Sequence, residues 1–276
     1  MFFAKPGEYE PCQMYSTGHM ILLTITLVIV MILIQHTKNS DRDSVKKIIK
    51  NTTVLLWIME IIKIIFNLAI GHWNNPNHYV PLYYCSIILY AGLFSSYGKG
   101  IVKKIGDIFI STGAIIGGAF FLSTPNTSLP IYPTFHYISI QSFVFHGAMV
   151  YLGILVNITR YIQLKLGDIR HYAFLITIMC CISYVVNDIL GTNFMFISQN
   201  FPNTPVEIVF YWAGKYFTIV MCLLQIILPF LIIYTINKLV HMCIITMKEY
   251  LKLNDVESEE DTEKACSDEE LKKIEI

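Results

Sequence analysis

The sequence predicts an all-α fold: a polytopic membrane bundle of seven transmembrane helices, with its N-terminus outside the cytoplasm and its C-terminus inside. Three observations carry this. The 276-residue chain is 54% hydrophobic and only 14% charged, where a soluble domain carries about 25% charged residues. Seven apolar runs approach or exceed the roughly 20 residues that a membrane crossing needs. Lysine and arginine gather in every second loop and avoid the others.

Residues 1–18 read as an extracytoplasmic N-terminal segment whose one basic residue is Lys5. It lacks a charged start followed at once by an apolar run, so no cleavable signal is expected, and the first run acts as a retained anchor. The runs fall at 19–35, 52–71, 82–98, 107–123, 136–158, 171–191 and 207–235, within a transmembrane domain over 19–240. The third and fourth are short and rich in Gly and Ser, including Gly113, Gly117 and Gly118. Small residues let helices approach closely in lipid, which predicts that these two are packed inside the bundle. The last run is long enough to tilt, and Pro229 is expected to kink it.

The loops set the orientation. Lys38, Arg42, Lys46, Lys47 and Lys50 follow the first run, Lys99, Lys103 and Lys104 the third, Arg160, Lys165 and Arg170 the fifth, and Lys238, Lys248 and Lys252 the last. Loops 72–81, 124–135 and 192–206 contain no Lys or Arg. Every loop then obeys the positive-inside rule, and an even helix count would break the alternation. Residues 241–276 form a cytoplasmic acidic tail. From Asn254 onward it holds ten of the twenty acids and three of the twenty basic residues, and it reads as a solvated, unstructured segment. The net charge of zero is thus a sum of opposites and names no partner.

Ionisable groups are costly in a bilayer and tend to face each other or a cavity. Glu60, Lys63 and Asn67 are spaced to share one helix face. His136, Gln141 and His146 lie on the fifth segment, Asn187, Asp188 and Asn193 on or just after the sixth, and Lys215 on the seventh. At about 1.5 Å per residue, Cys85 and Asp188 lie roughly 6 Å below the outer end of their helices, and His146 and Lys215 near 12–15 Å. The polar groups therefore crowd the outer half of the membrane, which predicts an outward-facing intramembrane pocket. Simpler roles stand beside this one: a structural Glu60–Lys63 ion pair, a Lys215–Asp188 pair across helices, packing or a Cys12 disulfide for Cys85, and plain packing for Cys180, Cys181 and Cys222. No metal site is expected, because His72 and His78 lack suitable partners. No phosphate-binding glycine loop or basic nucleic-acid patch is present, so no cofactor and no nucleic acid is implied. Membrane lipids are the expected partners, and no protein partner is specified.

Four stretches resemble the YwaF family of integral membrane proteins. They are Pro81-Leu82-Tyr83-Tyr84-Cys85, the Gly-rich fourth segment ending near Thr124-Pro125, Phe143-Val144-Phe145-His146-Gly147, and Asn187-Asp188-Ile189-Leu190-Gly191-Thr192-Asn193-Phe194-Met195. The resemblance spans about 79–235. The family includes bacterial members of unassigned role and an animal acyltransferase of ether phospholipids, in which a cysteine and a histidine are the proposed catalytic pair. The matching positions are Cys85 and His146. Family members often carry His two residues before the cysteine, where this chain has Tyr83.

The resemblance implies CoA-independent acyl transfer or lipid hydrolysis, with Cys85 as nucleophile and His146 as base. Asn187, Asn193 or Lys215 would supply oxyanion donors, and His136 is a second base. By the depth arithmetic His146 lies about 9 Å deeper than Cys85, beyond the roughly 3 Å of a hydrogen bond. The alternatives are a transporter or channel for a small solute, using Glu60, Lys63 and Asp188, and a non-enzymatic membrane subunit. Against transport, the sequence shows no paired broken helices and no repeat. The location read from the chain is a bacterial plasma membrane, or an endomembrane in a eukaryote.

Overall fold

The computed structural model describes residues 1–274, with side-chain surroundings given through Met247 except at Ile245. Helix α1 spans Thr17–Thr37, and the Ser16 side chain accepts from the His19 amide at its N-terminus. Helix α2 spans Arg42–Ala69 and is capped by Asp41. It begins ten residues before the expected run at 52, so most of the first cationic loop is helical. The cause is an apolar stripe that starts early: Val45, Ile49, Thr53, Leu56 and Glu60 are all buried and recur at the helical spacing of three and four.

The chain then makes short 3-10 turns at His72–Asn74, Pro76–His78 and Tyr84–Ser86 before α3 (Ile87–Tyr97). Gly98 to Gly100 turn the chain into α4 (Gly100–Ser111), which is followed by α5 (Gly113–Ser123) and α6 (Tyr137–Ile158). Helix α7 (Ile169–Leu190) buries Tyr172, Leu175, Ile176, Met179, Cys180, Ser183 and Asn187 along one face. Helix α8 (Pro205–Ala213) opens on a proline at its first turn, where the missing N–H costs nothing. Helix α9 runs Phe217–Ile274 with Pro229 in its interior. The residues Met1–Ile233 form one compact unit and Tyr234–Ile276 a second. The expectation of an unstructured acidic tail is corrected at the level of the backbone, which is helical through Ile274. No glycine or proline follows Pro229 to interrupt it.

Every described element is helical, with no strand among the described residues. Six helices are long and apolar enough to cross a membrane, and the seventh apolar segment, Tyr84–Tyr97, is shorter. The interior is formed by Gly100–Ser123 and Tyr137–Ile158, each 78% buried over its apolar window, whereas Thr17–Thr37 is only 17% buried and turns its remaining surface toward lipid. The glycine-rich fourth segment is therefore central, as its small residues predict. A Cβ on Gly118 would meet the His146 carbonyl oxygen at 2.7 Å, and one on Gly147 would meet Thr26 at 2.6 Å. The first contact brings the backbones of α5 and α6 together, and the second seats the Thr26 side chain of α1 against the α6 backbone.

Two spans are interrupted, which corrects the expectation of unbroken helices. Between α4 and α5, Thr112 leaves helical geometry at φ −125°, ψ −76°. The Asn157 amide repairs this break by donating to the carbonyl oxygens of Ser111 (2.9 Å) and Gly153 (2.7 Å), while the Ser111 hydroxyl donates to Asn157 Oδ1. Such side-chain repair is what lets an irregular backbone persist in lipid. Between α8 and α9, Gly214 adopts φ 51°, ψ −124°, a conformation open to glycine alone.

Candidate functional site

Cys85 lies in the 3-10 turn that opens α3, and part of its surface stays exposed. Its thiol donates to the Gly117 carbonyl of α5 at 3.7 Å. The approach depends on α5 having no side chain there, because a Cβ on Gly117 would press on the Tyr84 ring at 3.0 Å. Tyr84 is fixed in turn by its hydroxyl contact with Tyr172. One turn along α5 from Gly117, the Phe121 ring stacks on the His146 imidazole with centroids 3.6 Å apart and planes within 8°. His146 is buried at 8% exposure. Its Nδ1 lies 2.7 Å from the Ser142 carbonyl oxygen. A carbonyl only accepts, so Nδ1 carries the proton and Nε2 is the basic nitrogen.

Both residues pack against neighbouring turns of α5, Cys85 at Gly117 and His146 at Phe121 and Gly118. The run expected at 82–98 becomes α-helical only at Ile87, so Cys85 sits in the 3-10 turn before it. No direct thiol–imidazole hydrogen bond is present among the described residues. On α2 the spacing of Glu60 and Lys63 yields an ion pair within one helix. Lys63 itself lies 2.6 Å from the Glu60 carboxylate, which is only 2% exposed. Burial of both charges together avoids the larger penalty of burying one alone.

The remaining site residues divide sharply. The Asn187 side-chain amide donates to the Phe194 carbonyl (3.0 Å) and Ser198 hydroxyl (2.8 Å), while its Oδ1 accepts from the Thr192 hydroxyl (2.8 Å) and the Phe194 amide (2.7 Å). Asn193 donates to Gln199 and accepts from the amides of Ser198 and Gln199. Both side chains are spent on shaping the turn after α7, so neither offers a donor to an oxyanion. Gly191 closes α7 in the left-handed region at φ +63°, and Met195 and Phe196 follow at +56° and +51°. The turn buries Phe194 and Met195 completely and sets Phe194 and Phe196 against Tyr83, with centroids 5.3 and 5.2 Å away. The Asn187-to-Met195 stretch thus braces the segment that carries Cys85.

Asp188 points outward and is exposed, and so is Lys215, whose ammonium lies over the Tyr216 ring at 5.0 Å. Among the described residues no ion pair includes either one. The expected Lys215–Asp188 pair is corrected: Asp188 follows Asn187 directly, and on a helix adjacent residues point about 100° apart, so burying one turns the other out. His136 is fully buried and stacks on Tyr132 at 4.2 Å. Its Nε2 donates to the Ala4 carbonyl and its Nδ1 accepts from the Ile138 amide, so it caps α6 and ties down the N-terminal segment. Cys12 contacts the Ser16 hydroxyl at 3.2 Å, and both Cys12 and Cys85 are free thiols.

The structure also assembles groups that sequence patterns leave scattered. His19 is buried and joins α1 to α5 through the Leu122 carbonyl. Asp107 accepts from Ser95 and from Lys103, and Lys104 pairs with Asp168 across helices. Of these only the Lys103–Asp107 spacing of four was a visible signal. In the loop before Cys85, the His72 and His78 rings lie 4.6 Å apart. Burial holds the His78 pKa below its ordinary 6.5, and the charges of His72 and Lys63 push the same way. A depressed histidine stabilises the fold above the unfolded-state value and loses that contribution as pH falls toward the folded-state value. Amide exchange in residues 72–83, corrected for its intrinsic pH dependence, should therefore speed up as pH drops below about 6.5. His78→Gln should flatten that response.

A model of the TMEM164 family matches residues 14–236, from the start of α1 into α9. The match is to this family, where the short motifs resembled the YwaF family. No curated protein and no solved structure matches the chain.

Proposed function

The chain belongs to the TMEM164 family of membrane proteins, and from that premise we propose that it is a lipid acyltransferase or lipid hydrolase working inside the membrane, with Cys85 as nucleophile and His146 as base. The observation that carries the reading is the approach of a cysteine and a buried imidazole, protonated at Nδ1 and basic at Nε2, to neighbouring turns of α5. Asn187 and Asn193 are spent on the turn after α7 and Lys215 is exposed, so none of the three is assigned to the developing oxyanion.

In this reaction the Cys85 proton passes to His146 Nε2 and the thiolate attacks a phospholipid ester carbonyl. The carbon–sulfur bond forms, the carbon–oxygen bond breaks, and the lysolipid leaves with the proton held by His146. A second lysolipid hydroxyl, or water, then attacks the thioester and regenerates the thiol. The step requires Cys85 to leave the Gly117 carbonyl and its sulfur to reach the imidazole, a tightening common when a substrate arrives. The topology belonging to this reading has seven crossings with the N-terminus outside. Tyr84–Tyr97 reaches roughly 20 Å, about two-thirds of a ~30 Å hydrocarbon core, and the cationic loops on both sides of the α2–α3 pair favour a full crossing.

The two interrupted spans give the transport reading its one structural feature. Asn157 closes the first break, and the exposure of Asp188 removes a coupling group, so the thiol reading is preferred. The direct test is to trap the thioester. Purified protein mixed with excess labelled phospholipid and quenched in acid should carry an acyl group on the Cys85 peptide, released by hydroxylamine. Lipid turnover without any acyl-Cys85 would end this proposal.

A further inference from the structure

A second polar centre lies at the end of the bundle where α2, α4 and α7 begin and α6 ends. It is a cavity of about 430 Å³, in the size range of small-ligand sites. Five cationic residues line it: Arg42, Lys103, Lys104, Arg160 and Lys165. Two carboxylates, Asp107 and Asp168, oppose them, and each already holds a lysine at 2.6 Å, Lys103 and Lys104 respectively. Arg42, Arg160 and Lys165 join no ion pair among the described residues, so the cavity keeps a surplus of positive charge.

The floor is built rather than incidental. Tyr161 is 4% exposed, and its hydroxyl accepts from Lys103 at 2.8 Å. Its ring lies beneath Arg42 at 4.9 Å and Lys103 at 4.5 Å. Asp107 and Asp168 are also buried, which fixes the two lysines that they hold. The rim is set by the end of α6: Arg160 follows the helix in the left-handed region at φ +52°, and the Tyr161 amide donates back to the Val156 carbonyl at 3.0 Å, a helix-closing turn that carries Arg160 and Tyr161 to the cavity.

We propose that this cavity binds a phosphomonoester group, of the kind carried by a phosphorylated lipid headgroup or by its soluble counterpart. Three unpaired cations exceed what one carboxylate or one phosphodiester neutralises, whereas a phosphomonoester carries about −1.5 to −2. Two guanidinium groups match its oxygens in pairs. The cavity sits at the helix ends, at the level where headgroups lie, and basic pockets between membrane helices suit such headgroups. This site is separate from Cys85 and does not depend on the acyl-transfer reading.

The test uses the full chain in phosphatidylcholine nanodiscs, with phosphatidic acid or phosphatidylserine added, and native mass spectrometry as the readout. Phosphatidic acid should bind at least about tenfold tighter than phosphatidylserine. The double variant Arg42→Gln with Arg160→Gln should lose that preference. Lys46→Gln with Lys47→Gln, which removes equal charge outside the cavity, should keep it. Displacement by soluble glycerol 3-phosphate would assign the site to a free phosphomonoester, and resistance to displacement would assign it to the lipid. Equal binding of the two lipids, or equal loss in both double variants, would overturn the proposal in favour of diffuse surface attraction.

Discussion

Cys85→Ala is expected to abolish acyl transfer between labelled lipids, lowering the rate by more than about a thousandfold, because no other group at the site can form the thioester. The variant should fold normally. The Cys85 sulfur makes one long hydrogen bond to Gly117, at 3.7 Å, and its loss is worth well under about 1 kcal/mol. His146→Gln should lose roughly a hundredfold, the usual scale of general-base catalysis, with the stacking on Phe121 partly kept. Its residual activity should rise with pH, as hydroxide takes over the proton removal. Lys63→Gln is the more severe structural change, since it leaves Glu60 buried without its cation. A purified, folded Cys85→Ala protein that transfers acyl groups at the native rate would remove the thiol from the mechanism. Solute flux in vesicles would then become the leading measurement.

The helices were legible because length and hydropathy alone specify a membrane helix. All seven apolar runs are helical, and the glycine-rich fourth one is central, as Gly117 and Gly118 imply. What stayed hidden was where a helix begins. Val45 and Ile49 extend α2 into a stretch whose lysines disguised it as a loop. Nothing in Pro81-Leu82-Tyr83, by contrast, marks that α3 begins only at Ile87, so Cys85 falls in a 3-10 turn where a helix was expected. The site itself was only half visible. Glu60 and Lys63 are neighbours on one helix and were paired from spacing, yet the approach of Cys85 and His146 to one helix depends on α5 packing against both the 84–86 turn and α6, which no periodicity encodes. Asp188 and Lys215 were misread for one reason: an ionisable residue in an apolar run does not reveal which face of its helix it occupies. The Thr112 break was equally silent, because the Asn157 that repairs it lies on another helix.

The Asn187-to-Met195 stretch carries the largest structural expectation. Its first residue is 4% exposed, and its one amide group satisfies four partners. Two of these are the amide and carbonyl of Phe194, a fully buried residue that meets no water. Asn187→Leu preserves the side-chain volume and strands both Phe194 groups, each costing about 1–3 kcal/mol when left unpaired. A total loss near 3 kcal/mol follows, moderated because hydrogen bonds in membrane proteins average well below that each. The adjacent Asp188→Asn changes an exposed residue and should stay within about 0.5 kcal/mol of the parent. Detergent unfolding midpoints of the two variants should therefore separate clearly, although the substitutions are neighbours in sequence. The left-handed Met195 and Phe196 follow directly on this network, with Gln225 donating to the Met195 carbonyl at 2.9 Å and the Phe196 amide to the Asn193 carbonyl at 3.2 Å. Releasing them frees Phe194 and Phe196 from Tyr83, two residues before Cys85. Asn187→Leu should thus also quicken labelling of Cys85 by a lipid-soluble maleimide. Activity lost with stability and labelling both unchanged would instead make Asn187 a donor in the reaction, and the bracing role assigned to it would be wrong.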